Sequence, residues 1–362
     1  MEQFSEQFGG VIARDEELPF GSNPFCDAAI AFGLATLAEF EGTTNARNDL
    51  FRYDLQLLDD SSANAVCGYH NGQFCLGLNA GLLERISEIS AALIKLMYFE
   101  EGVSPQELEN AGFQYLNLLD MENFEQSHMD HLLSTISPIK QHGHLDKFAF
   151  LTNILCLFVI FHEIRHAVDG HVLHLIQGRE ELYLGETSGS NKHDSSFVQL
   201  VCELDADADA FATIAFNLLQ GRMFFDTEID RLEAFRMFWI GTLLLTHTWA
   251  KTEDASLSPR THPPALDRVN SLFNMPTRIA IAETELRDDI DKLYIKTAQL
   301  ISNLITLDPS FIMLGVPLTE KGIDRYMSVI ETISERAEVK SAKVEMAKLS
   351  FNPKTMRVMT EY

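Results

Sequence analysis

The stretch "FVIFHEIRHAVDGHVLH" (residues 158–174) decides how this chain is read. It closes a long apolar run and carries His162, Glu163 and His166 in the spacing HExxH. On an α-helix, positions i and i+4 lie one above the other on one face, so His162 and His166 can present imidazole nitrogens to a single point. Zinc accepts such nitrogens at about 2.0–2.1 Å and favours tetrahedral geometry. The helical repeat of about 3.6 residues turns Glu163 about 100° away from His162. Glu163 is therefore a poor third ligand and a good candidate general base for a water held by the metal. Taken alone, the short pattern also fits a partly buried helix with incidental histidines.

The context narrows the choice. Residues 148–161 are apolar almost all round, which marks a central, enclosed helix. That is the dry, rigid platform a metal site needs. The helix is expected from about Asp146 to Gln177, with Gly178 as its C-cap. A third ligand stands on the next expected helix, in "CELDADADAFA": Glu203. Asp207 follows four residues on, on the same face, where a carboxylate can accept the free ring N–H of a ligand histidine. Three protein ligands plus a water is the catalytic form of a zinc site. The spacing Asp205-x-Asp207-x-Asp209 resembles the start of a calcium loop, but Ala210 and Phe216 stand where that loop needs Gly and Glu. A solvated acidic face suits Asp205 and Asp209. It suits Glu203 and Asp207 less well, because Leu200, Ala210 and Ile214 share their face.

Further along, "RTHPPALDRV" sets His262 before two prolines, which stiffen the loop. A histidine placed so rigidly could donate to a developing oxyanion or cap the metal at rest, and an ordinary surface loop is the simpler chemical reading. His128, His131, His142 and His144 lie in polar sequence and read as solvated. His247 reads as a core histidine. The best strand signal is "ANAVCGYHNGQFCLGLN", where Asn71-Gly72 favours a type I′ hairpin turn. That turn pairs His70 with Gln73 and Cys67 with Leu76, and it puts Cys75 on the opposite face from Cys67. A helix follows and ends near Gly102, then a capping box at Ser104 and Glu107. The first sixty residues carry little signal. The chain beyond about Thr277 reads as helices broken at Pro309 and Pro317.

The 362 residues carry a formal charge of −25 and are 46% hydrophobic. That composition suits a globular protein with a sizeable core. So negative a surface repels phosphate backbones and anionic lipid heads, so nucleic acid and membrane are excluded as expected partners. The five cysteines include no CxxC pair, which suits free thiols in a reducing compartment. No basic-then-apolar leader opens the sequence, and no uncharged apolar run reaches the ~18 residues of a spanning helix. The expected location is cytoplasmic.

"HEIRHAVDGH", "ELDAD" and "THPPALDRV", in that order, resemble the zinc-dependent gluzincin peptidases of the HtpX and CAAX-prenyl-endopeptidase type. They are at least as similar to soluble Lit-like phage-exclusion peptidases. The resemblance covers residues 64–274. It implies an α+β, mainly helical, zincin-like (gluzincin) fold with a small antiparallel sheet. On that basis residues 1–61 form an N-terminal segment, 62–275 the peptidase domain and 276–362 a helical C-terminal extension. It further implies that His162, His166 and Glu203 hold Zn2+, that Glu163 activates the water, and that Asp207 supports a ligand histidine. His262 would face the metal, and His171 matches a recurrent family histidine. Residues 73–78 would form a sheet edge that a protein or peptide substrate joins by strand addition. One position departs from the family pattern: Arg165 stands between Glu163 and His166, where uncharged residues are usual. It would either contact substrate or the oxyanion, or point away and pair with an acidic residue. The expected activity is zinc-dependent endopeptidase action of narrow specificity in a defence or regulatory role. The alternative is an inactive binding module that retains the scaffold.

Overall fold

The computed structural model describes residues 10–12, 24–100, 144–176, 182–185, 196–222, 224–225, 228–254, 265–282, 287–307 and 312–353. Its centre is α3 (Leu145–Val168), whose side chains from Phe148 onward are nearly all buried. No Gly or Pro interrupts α3. Around it lie α1 (Pro24–Phe40), α2 (Ala80–Glu100), α5 (Ser196–Leu219) and α6 (Arg231–Asp254). Asn153, a polar residue inside the apolar run, is spent on packing. Its Nδ2 donates to the Ala149 carbonyl, and its Oδ1 accepts from the Ala29 N–H of α1. By length and composition α3 could cross a membrane, but 89% of its apolar window is buried inside the protein.

The sheet has the order β1-β2-β4-β3-β5, with β1 Val11–Ile12, β2 Tyr53–Leu58, β3 Ala65–His70, β4 Gln73–Asn79 and β5 Leu182–Gly185. The β3–β4 hairpin forms in the expected register, His70 opposite Gln73 and Cys67 opposite Leu76. Asn71 and Gly72 take φ of 52° and 79°, the signs a type I′ turn requires. Cys67 faces the main core with Phe74 and Leu76, while Cys75 joins Val66 and Leu58 on the other face. All five cysteines are free and buried.

Two expectations about the sheet are corrected. It is mixed rather than antiparallel, because β2 pairs in parallel with β4. For the same reason residues 73–78 are not an edge: β4 is held between β2 and β3, and the edges are β1 and β5. Both corrections come from β2, a strand in the region that carried little sequence signal.

The helix expected to run to Gln177 stops at Val168. Gly170 takes φ 78°, and a second short helix, α4 (His171–Leu175), sets off in a new direction. Tertiary structure imposes this break. The Val168 carbonyl accepts from Phe351 N–H at 2.7 Å. A Cβ on Gly170 would come within 2.6 Å of the Met346 carbonyl oxygen. Met346 belongs to the last described helix, α11 (Ala337–Leu349), which packs on α4 and α5. The Asn45 side chain donates to the Leu349 carbonyl at 3.2 Å, and Phe351 packs on Phe51 and Phe74.

The remaining helices are α7 (Ala265–Ala282), α8 (Arg287–Leu307), α9 (Ile312–Gly315) and α10 (Glu320–Glu335), with a 3₁₀ turn at Val316–Leu318 before α10. A break falls at Pro317, as the sequence suggests, and Pro309 lies outside the described residues. The expected boundary at 275/276 lies inside α7, which passes Pro276 because Met275 and Ile279 both enter the common core. That core includes residues of α1, α8 and α9 and also Phe351, while Ala342 and Met346 of α11 pack separately against Cys202 of α5. The capping box at Ser104 and Glu107 lies outside the described residues.

The packing at Gly170 gives a direct test. Gly170→Ala combines left-handed strain of about 1–3 kcal/mol with a collision against the Met346 carbonyl. We expect chemical denaturation to show a loss of at least about 2 kcal/mol; a loss below about 0.5 kcal/mol would contradict the close approach.

Candidate metal centre

His162 and His166 occupy the last two turns of α3, and Glu203 reaches them from α5. The two Nε2 atoms are 3.0 Å apart. Glu203 Oε2 lies 3.3 Å from His162 Nε2, and its Oε1 lies 3.5 Å from His166 Nε2. Tetrahedral bonds of about 2.0–2.1 Å place donor atoms about 3.3 Å apart. The observed separations bracket that value, so this buried His-His-Glu group can hold a metal ion. The donor set, two imidazole nitrogens and one carboxylate, suits a borderline first-row cation better than calcium or magnesium, which favour all-oxygen shells.

Each histidine is oriented from behind. His162 Nδ1 lies 3.0 Å from Asp207 Oδ1. With Nε2 turned to the cluster, Nδ1 is the ring nitrogen that faces this carboxylate, at contact distance. Asp207 in turn accepts two bonds from Arg268, Nε to Oδ2 at 2.7 Å and Nη2 to Oδ1 at 2.8 Å. Burial by itself would raise the Asp207 carboxyl. The Arg268 charge and the hydrogen bonds from His162 and Arg268 outweigh it, and the group is held below its ordinary value.

His166 is oriented differently. Its Nδ1 lies 3.2 Å from His171 Nδ1. Along an unbroken helix His171 would be turned about 140° from His166. The break at Gly170 is what brings the two rings together. Burial, then the neighbouring His166, holds His171 well below the ordinary histidine range, so it is a neutral ring that can accept the His166 proton.

Glu163 is buried on the flank of α3 that faces the sheet. Its charge, after burial itself, raises the Cys67 thiol of β3. His162, Glu163, His166, His171, Glu203 and Asp207 are each no more than 3% exposed.

Arg165 is placed at the surface, where Nη1 lies 3.7 Å from Asp169 Oδ1. Burial chiefly, and the nearby Asp209 and Asp205, push the Asp169 carboxyl up to about 6 against the pull of Arg165. Of the two expected placements, the Asp169 contact matches the pairing with an acidic residue. His262, and also His128, His131 and His142, lie outside the described residues. His144 directly precedes α3. His247 is buried in α6. Elsewhere, a cavity of about 410 Å³ is lined by Arg236, Lys292 and Lys296 together with Asp230, Glu233 and Asp289, and by no residue of the cluster.

Arg268 is a member of this buried group that reading the motifs did not single out. Its only signal in the sequence is its place in "HPPALDRV". No protein-family model, curated sequence or solved structure matches this chain.

His171 supplies a pH test on chelator-treated protein. Its folded value lies below the unfolded value of about 6.5, so the unfolded chain takes up the proton first as pH falls. His171 therefore costs nothing above about pH 6.5 and destabilises the fold below it. Wild type should lose stability faster than His171→Asn below that pH, by up to about 1.4 kcal/mol per pH unit. Parallel stability–pH curves would show that His171 is not held neutral.

Proposed function

We propose that this chain is a zinc-dependent endopeptidase with a gluzincin-type ligand set and a zincin-like arrangement of α3, α5 and the sheet. The observation that carries the reading is the buried group of His162, His166 and Glu203, whose ligand atoms lie close enough to share one ion, with a buried Glu163 next to His162 in the same helix. Zinc bound there supplies Lewis acidity, which polarises a carbonyl and lowers the pKa of a water. Glu163 takes the proton from the attacking water and returns it to the leaving amine nitrogen. Asp207 and His171 keep the two imidazoles in the tautomer and direction that leave both Nε2 atoms free to bind. The substrate is a peptide bond in a protein, and the resemblance to Lit-like peptidases points to a narrow choice of target.

A second reading is favoured by the burial of Glu163, which in this conformation leaves little room for a peptide. In it the scaffold holds the metal and serves as a binding module without turnover.

The two readings separate in one experiment. Zinc-loaded wild type and Glu163→Gln are incubated with cell lysate, and newly formed protein N-termini are compared. The peptidase reading expects new N-termini from wild type only, with Glu163→Gln still holding zinc and its rate reduced at least ~100-fold, the lower range for a lost general base. Identical N-termini in the two samples would sink it in favour of the binding module.

A further inference from the structure

We infer that Arg268 is a positioning residue of the metal centre, acting on His162 through Asp207. This rests on the reading of His162, His166 and Glu203 as metal ligands. The geometry is a chain of three buried groups on three helices: Arg268 on α7, Asp207 on α5 and His162 on α3. The guanidinium binds both carboxylate oxygens, so it fixes the plane of the carboxylate as well as its position. That plane sets the direction in which Oδ1 meets Nδ1 of His162, and hence where Nε2 points. A lysine keeps the charge but cannot present this fork.

Charge supports the same assignment. Glu163, Glu203 and Asp207 bring three negative charges into an interior that water does not reach, and Arg268 brings one positive charge. Two negative charges are left over, which one divalent cation cancels. Without Arg268 the buried site would be over-charged and Asp207 would lose the guanidinium that binds both of its oxygens. His166 meets a different group, the His171 imidazole at 3.2 Å from its Nδ1. The effect of Arg268 is therefore confined to one ligand, which distinguishes positioning from general support of the fold.

The test uses the full chain as Arg268→Gln, Arg268→Lys, Asp207→Asn and the double variant Asp207→Asn/Arg268→Gln. Zinc affinity is measured by competition with a chromogenic chelator, and the visible ligand-field spectrum is recorded on cobalt(II)-loaded protein. Losing an outer partner of a metal ligand weakens binding about 10- to 100-fold, and that is expected for Asp207→Asn and Arg268→Gln. Arg268→Lys should fall between wild type and Arg268→Gln. The double variant should be no weaker than Asp207→Asn by more than about threefold, and both single variants should shift the cobalt bands in the same sense. If Arg268→Gln does not fold, Arg268→Lys decides, because it keeps the charge and loses the fork. Unchanged zinc affinity and cobalt bands in the folded Arg268 variant, even with a lower melting temperature, would overturn the proposal. So would a double variant whose loss is the product of the two single losses. Wild type that takes up no zinc or cobalt would overturn the metal-centre reading along with it, whereas wild type that binds while the Arg268 variants match it overturns only the role of Arg268.

Discussion

Asp207 holds a negative charge inside the protein, and the arrangement of the site follows from what lets it stay there. A buried carboxylate without partners costs several kcal/mol or takes up a proton. Here Arg268 grips both oxygens and His162 lies against one of them. Three helices thereby meet at one point, and His162 turns its other nitrogen toward His166 and Glu203. The same carboxylate that would be a liability in an apolar core becomes the reference from which one ligand is aimed.

The second ligand is aimed by a backbone event. α3 ends where Phe351 N–H captures the Val168 carbonyl and where the last described helix crowds Gly170. The bend that results swings His171 under His166. Residues nearly two hundred positions later in the chain thus shape the surroundings of the His162, His166 and Glu203 group. They do so because α11 packs on α4 and α5, with Ala342 and Met346 against Cys202, and with Phe351 in the main core.

These two devices differ in how far they can be read from the sequence. The helical spacing of His162, Glu163 and His166 is a local, periodic property, as is the face shared by Glu203 and Asp207, and both are legible. So is the Asn71-Gly72 hairpin, because its turn chemistry is contained in two residues. The break at Gly170 carries a local signal, a glycine that can take the left-handed turn past a helix end, but the apolar pattern continues through residues 172–176 and masks it. The central position of β4 is hidden for a similar reason. Its parallel partner, β2, is a short strand whose pairing depends on residues twenty positions away. Arg268 stands in a motif that is easily seen, but its partner, Asp207, is sixty-one residues earlier and is revealed only by the fold. Arg165 shows the reverse case: a residue conspicuous in the motif is engaged by the surface carboxylate of Asp169.

The claim at the centre of this account is that two imidazoles and one carboxylate share a single zinc ion. Zinc K-edge X-ray absorption on purified protein loaded with one equivalent of zinc measures that directly. The account predicts a four-coordinate shell of nitrogen and oxygen at about 2.0–2.1 Å, with the outer-shell scattering of two imidazole rings that is lost in part in His162→Ala. A shell containing sulfur, a shell of oxygens without imidazole scattering, or a spectrum unchanged by His162→Ala would contradict it.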